Sequence, residues 1–140
     1  IAKAIRMFDL LCGCLRRFDG PHGRLGADPI VRQQIGELAA DIEVGRQFML
    51  RSVSDLSGSE AMSVAAISKV FTSELMERLG TAALDLLGID AALSHGSEGA
   101  IEGGRFEQSL RHSLMWVISM GTNEIQRNLI AQLKLGLPRN

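Results

Sequence analysis

Met120, Gly121, Thr122, Asn123 and Glu124 stand in a row where an apolar helical pattern breaks off and resumes. Thr122 carries a hydroxyl that can cap a new helix, and Glu124 falls in that helix's first turn, where a carboxylate is favoured by the unpaired N–H groups. A hydroxyl and a carboxylate two residues apart can donate and accept hydrogen bonds. Arg17 closes an earlier helical pattern, where a guanidinium can cap carbonyls or bind phosphate. His22, His95 and His112 sit in or beside polar stretches and read as surface residues. Cys12 and Cys14 point about 200° apart on a helix, so they cannot easily bridge each other, and no His/Cys set for zinc lies nearby.

The elements that must position these groups are helices. Residues 1–18 place Ile5, Phe8, Leu11 or Cys12, and Leu15 at helical spacing. Residues 19–29, with Gly20, Gly23, Gly26, Pro21 and Pro29, read as a loop. Asp28 before Pro29 is a helix start, and the second helix is expected to run from Pro29 to about Asp55 with Val31, Ile35, Leu38, Ile42 and Met49 on one stripe. Ser57-Gly58-Ser59 breaks the pattern, with Ser59 as the expected N-cap. A third helix from about Glu60 to Leu87 carries Val64, Ile67, Phe71, Leu75, Leu79, Ala82 and Leu86, and Gly88 suits the position just past its end. Residues 89–104 form a long, mobile connection rich in Gly, Ser, Asp and Glu. The fourth helix starts near Arg105 with Phe106, Leu110, Leu114, Val117 and Ile118 on its stripe. It breaks at Gly121 and resumes from Thr122 to Leu135, where Gly136 and Pro138 stop it. Trp116, Met115 and Met120 read as core or interface. The expected fold is all-α, an up-down four-helix bundle in one domain spanning residues 1–140.

The bulk numbers agree. At 140 residues the chain can bury a real core without staples. Formal net charge is −1 and aromatics are 4%, with no Tyr, which argues against nucleic acid, an anionic membrane surface and base-stacking platforms. No apolar run is long enough to span a bilayer, and cytoplasmic localisation is expected. The start at Ile1 suits a fragment, a processed product or a trimmed chain.

The run from Gly121 to Ala131, followed by Leu135-Gly136-Leu137-Pro138-Arg139, closely resembles the C-terminal signature of the acyl-CoA dehydrogenases. Residues 28–38 also resemble the opening of a bundle helix in that family. The resemblance covers nearly all of the chain and implies the C-terminal helical domain of a larger flavoprotein that oxidises acyl-CoA thioesters to enoyl-CoA. It implies FAD as cofactor, acyl-CoA as substrate and assembly into homo- or hetero-oligomers, dimers or tetramers. It places Thr122 and Glu124 against FAD, and the Met120 N–H, with Gly121, at the thioester oxygen. Arg17 and Gly88 match positions that grip the FAD pyrophosphate of a neighbouring subunit. The sequence departs from the family at four points: Met120 stands where many members carry the catalytic glutamate, Phe18-Asp19-Gly20 departs from the usual Phe-Gly turn after Arg17, Asp85 replaces a glutamine, and Ile89 replaces a glycine beside Gly88. A carboxylate beside a pyrophosphate is unfavourable, and a β-branched residue obstructs close backbone approach. Met120 cannot take a proton, so the resemblance leaves two sources for the base. One is a first-helix position about ten residues before Ile1; the other is a second, glutamate-bearing subunit. It also leaves room for a pure assembly module, and for the flavin monooxygenases and acyl-CoA oxidases that share the fold.

Overall fold

A computed structural model describes residues 1–54 and 57–138. Among them are five α-helices: α1 (Ala2–Arg17), α2 (Pro29–Ser52), α3 (Gly58–Leu87), α4 (Arg105–Ile118) and α5 (Asn123–Leu133). The expected all-α, up-down bundle is the observed one, with α4 and α5 as the two parts of the interrupted fourth helix. The 30-residue α3 is the central post, packed against α1, α2, α4 and α5. Its length follows from an apolar pattern that runs for about six turns after Gly58 without glycine or proline, until Gly80.

The boundaries follow from local chemistry. Asp28 caps α2 as expected, its carboxylate accepting from the N–H groups of Ile30 at 2.8 Å and Val31 at 3.4 Å, with Pro29 at the first helical position. α2 ends at Ser52; the expected end at Asp55 lies outside the described residues, as does Arg139 of the signature run. α3 begins earlier than expected, at Gly58, so Ser59 is inside the helix and Ser57 takes the cap position without a side-chain bond. The 19–29 loop contains a two-residue antiparallel ladder, β1 (Asp19–Gly20) with β2 (Gly23–Arg24), and a 3₁₀ turn over Leu25–Ala27. α5 stops two residues before the expected Leu135, where the N–H groups of Leu135 and Leu137 turn back to Ile130 and Ala131.

The core is one cluster in which Leu11, Cys14, Leu15, Leu38, Leu75, Leu79 and Phe106 are buried. Phe48 and Phe71 add an edge-on pair between α2 and α3 with ring centroids 5.3 Å apart. The connection between α3 and α4 is pinned rather than mobile: two 3₁₀ turns, Ile89–Ala91 and Ile101–Gly104, bury Ala91 and Ile101 against the bundle. α4 corrects the expected stripe. Phe106, Ser109 and Ser113 are its buried residues, while Leu114 and Ile118 are exposed. Leu110 of the expected stripe does meet α3, at close approach: a Cβ on Gly80 would stand 2.9 Å from Leu110 Cβ. Ser113 satisfies its hydroxyl by donating to Leu110 O at 2.6 Å.

Candidate functional site

The break between α4 and α5 is built from two consecutive left-handed residues, Met120 at φ 56° and Gly121 at φ 81°. Glycine takes this region freely, whereas an unbranched methionine enters it only when its surroundings hold it there. Three sets of bonds do so. Gln126 Nε2 donates to Met120 O at 2.8 Å. Thr122 caps α5, its hydroxyl oxygen accepting from the Ile125 N–H at 3.4 Å. From α3, Lys69 Nζ donates to Val117 O at 3.1 Å, Gly121 O at 2.9 Å and Asn123 Oδ1 at 2.7 Å.

Asn123, 1% exposed, is the hub of this knot. Its amide nitrogen donates to Ser73 Oγ and Glu74 Oε1, both at 3.1 Å, and Glu74 is in turn paired with Arg127. The Lys69 ammonium is drawn below the ordinary lysine range by burial, with Glu124 and Glu74 opposing. The Glu124 carboxyl is held below its ordinary range by the Thr122 hydroxyl, its own N–H, Arg127 and Lys69. Among the described residues no acceptor lies on the Met120 or Gly121 N–H, and the Ser119 hydroxyl is buried without a partner. Beside the break opens a cleft of about 380 Å³, with Met49, Met76, Trp116 and Met120 as apolar walls and Ser68, Lys69, Thr72 and Ser73 along α3. Met120, 72% exposed, stands at its rim. Met115 is half-exposed and Trp116 37% exposed, so neither belongs to the buried core.

The expected site residues fall into two groups. Met120, Gly121, Thr122 and Glu124 lie together at the break, opposite the middle of α3. Arg17 and Gly88 lie towards the other end: Gly88 closes α3 at φ 77°, 19 residues or about 28 Å along the helix from Lys69. Arg17 is not a free guanidinium. It pairs with Glu102, donates to Gly13 O at 3.2 Å and rests on Cys14 Sγ, and the Glu102 and Cys14 contacts hold it charged. Glu102 itself sits at φ 51°, in the turn that pins the long connection. Asp85 is exposed on α3, and Ile89, 81% exposed, projects beside Gly88. His95 bonds through Nδ1 to Gly103 O at 2.9 Å on the surface. Sequence reasoning missed Lys69, Ser73, Glu74 and Asn123. The available signal was one lysine between Ile67 and Phe71 on the apolar face of α3, facing an asparagine inside the signature run.

The family model for the acyl-CoA dehydrogenase C-terminal domain matches residues 1–135. This chain belongs to the acyl-CoA dehydrogenase family. It is similar to acyl-CoA dehydrogenase FadE26 of Mycobacterium tuberculosis (strain ATCC 25618 / H37Rv), at 32% identity over 91% of this chain and 35% of the relative. It is 31% identical to acyl-CoA dehydrogenase IpdE1 of Mycolicibacterium smegmatis (strain ATCC 700084 / mc(2)155), over 83% of this chain and 28% of that protein. Among solved structures, the ChsE4-ChsE5 complex from Mycobacterium tuberculosis superposes with a TM-score of 0.86 at 28% identity, covering 98% of this chain and 35% of the matched one. The chain thus spans about a third of the length of these relatives. Among the described residues no helix is long and apolar enough to cross a membrane.

Proposed function

We propose that this chain is the helical C-terminal domain, residues 1–140, of an FAD-dependent acyl-CoA dehydrogenase. In this reading it supplies the carbonyl-binding turn and part of the flavin site for α,β-dehydrogenation of an acyl-CoA thioester. The observation that carries the reading is the α4–α5 break: an unpartnered Met120 N–H at the rim of an apolar cleft. A thioester oxygen gains negative charge as its α-proton leaves, and a fixed backbone donor stabilises that oxygen. The side chain at position 120 does not enter this bond, so methionine retains the function. FAD, when bound, accepts the β-hydrogen as hydride.

The break fits part of the flavin nucleotide: the Thr122 hydroxyl and the exposed Glu124 carboxylate suit a sugar hydroxyl or an adenine amine. Arg17 and Gly88, at the other end, suit the pyrophosphate of a different FAD, held mainly by a neighbouring subunit. There the fit is poor as it stands, because Glu102 occupies Arg17 and Ile89 projects beside Gly88.

Met120 leaves the α-proton without a base at this position, and Arg17 is already paired. Together these favour a second reading, a subunit of a heteromer whose other chain supplies the glutamate. A similar solved structure is a complex of two named chains, which supports it. Exposed Leu114, Met115 and Ile118 on α4 and Ile125 on α5 offer apolar area for assembly, homomeric or heteromeric. The test is to purify the protein as it occurs, alone and with candidate partner subunits, and add acyl-CoA anaerobically. Bleaching of bound flavin supports the reading; a protein that stays flavin-free in every assembly overturns it. Bleaching only with a second subunit selects the heteromer.

A further inference from the structure

We propose that Lys69 is the positioning residue of the carbonyl-binding turn, clasping it so that the Met120 N–H points at the ligand. An ammonium has three N–H donors and no acceptor, and here each donor has its own oxygen. One oxygen is on the last turn of α4 (Val117), one in the break (Gly121), and one on the first residue of α5 (Asn123). The three lie on separate segments, so one cation ties the end of one helix, the turn and the start of the next to a single point on α3. The Val117 carbonyl is among those a helix end leaves without a partner, and it lies where the helix dipole attracts a cation.

The clasp is keyed to the two left-handed residues. Gly121 O points at Lys69 only with the preceding peptides turned as Met120 at φ 56° and Gly121 at φ 81° turn them. On the other side Gln126 Nε2 holds Met120 O, so both carbonyls of the strained pair are bound while both N–H groups remain open. Asn123 cannot flip to offer its nitrogen to Lys69, because that nitrogen faces Glu74 Oε1. A guanidinium is planar and longer, and it does not reproduce three converging bonds from one atom.

The role in ligand binding rests on the proposed function; the role in holding the turn does not, and the experiment separates them. The flavin-loaded protein is prepared as wild type, Lys69→Met, Lys69→Arg and Lys69→Cys, the last also alkylated with 2-bromoethylamine to rebuild a lysine-like ammonium. All carry methyl-¹³C methionine, with the Met120 resonance assigned by Met120→Leu. Each is titrated with an acyl-CoA thioester and with its thioether analogue, which lacks the carbonyl oxygen. In the variants the Met120 resonance should shift, and thioester affinity should fall about tenfold while thioether affinity holds; alkylation should restore both. An unmoved Met120 resonance in the Met and Arg variants overturns the clasp. Equal losses for the two ligands overturn the positioning role. A wild type that does not distinguish the ligands sinks the carbonyl-binding reading, while the resonance still decides the clasp. Should Lys69→Met fail to fold, Lys69→Arg, which keeps the charge, carries both readouts.

Discussion

The close approach of α3 and α4 at Gly80 yields a sharp stability prediction, because two glycines in helices differ in one respect. An added Cβ at Gly80 would meet Leu110 Cβ at 2.9 Å, Cα at 3.0 Å and Cδ1 at 3.1 Å, whereas at Gly36 it would meet nothing within 4 Å. Both alanine substitutions remove the same backbone freedom, which stabilises a helix interior by about 0.5–1 kcal/mol. Gly36→Ala should therefore gain about that amount. Gly80→Ala adds overpacking against α4, part of it against backbone, at about 1–3 kcal/mol. The net loss is about 0–2.5 kcal/mol, and the gap between the two variants, about 1–3 kcal/mol, isolates the steric cost. With a urea slope of about 1–3 kcal/mol per molar, that gap is of order one molar in midpoint. Paired urea titrations by circular dichroism would measure it. Gly80→Ala gaining as much stability as Gly36→Ala would refute the packing argument. The same variant should displace α4 and with it the turn at Met120, because the Gly80–Leu110 contact sets the spacing of these two helices.

Other outcomes follow from the polar knot and the thiols. Asn123→Ala should cost about 1–3 kcal/mol in denaturant unfolding, since it leaves Lys69 one acceptor short and removes a bond each from Ser73 and Glu74, which keep Val70 O and Arg127. Asn123→Asp should not rescue it, because a carboxylate would then face Glu74. The Glu124 carboxyl, lowered in the fold from its ordinary 4.5, contributes stability fully present above that value and lost as pH falls through its folded value. Stability should therefore fall on acidification below about pH 4.5, and Glu124→Gln should flatten that acid limb in chemical denaturation. Cys14 is buried and Cys12 half-buried, and burial raises both thiols, so alkylation at neutral pH should be slow at Cys12 and slower still at Cys14, as peptide mapping would read.

The helices were legible because their signals are local. The Asp28-Pro29 start of α2, the apolar run of α3 and the Thr122 cap each depend on neighbours within one or two turns. So was the break at Gly121, and with it the family, since the signature run is contiguous in sequence. The exposed side of α4 was not legible. Leu114 and Ile118 keep helical spacing with Phe106, yet Leu110 is the residue of α4 that meets α3 at Gly80, and Ser109 and Ser113 are buried where the spacing offered Leu114 and Ile118. The long connection read as mobile from its composition, although Ile101 and Ala91 anchor it in the core.

What the sequence determined by itself was the set of helices, their order and the turn that carries Met120, all consequences of bonds and contacts within a few residues. The tertiary structure alone decided which charges are engaged. It set Glu102 on Arg17 across 85 positions, and Lys69 beneath a turn 52 positions away. Such pairings depend on which faces of separate helices meet, and that is fixed by packing over the whole bundle rather than by any spacing along the chain.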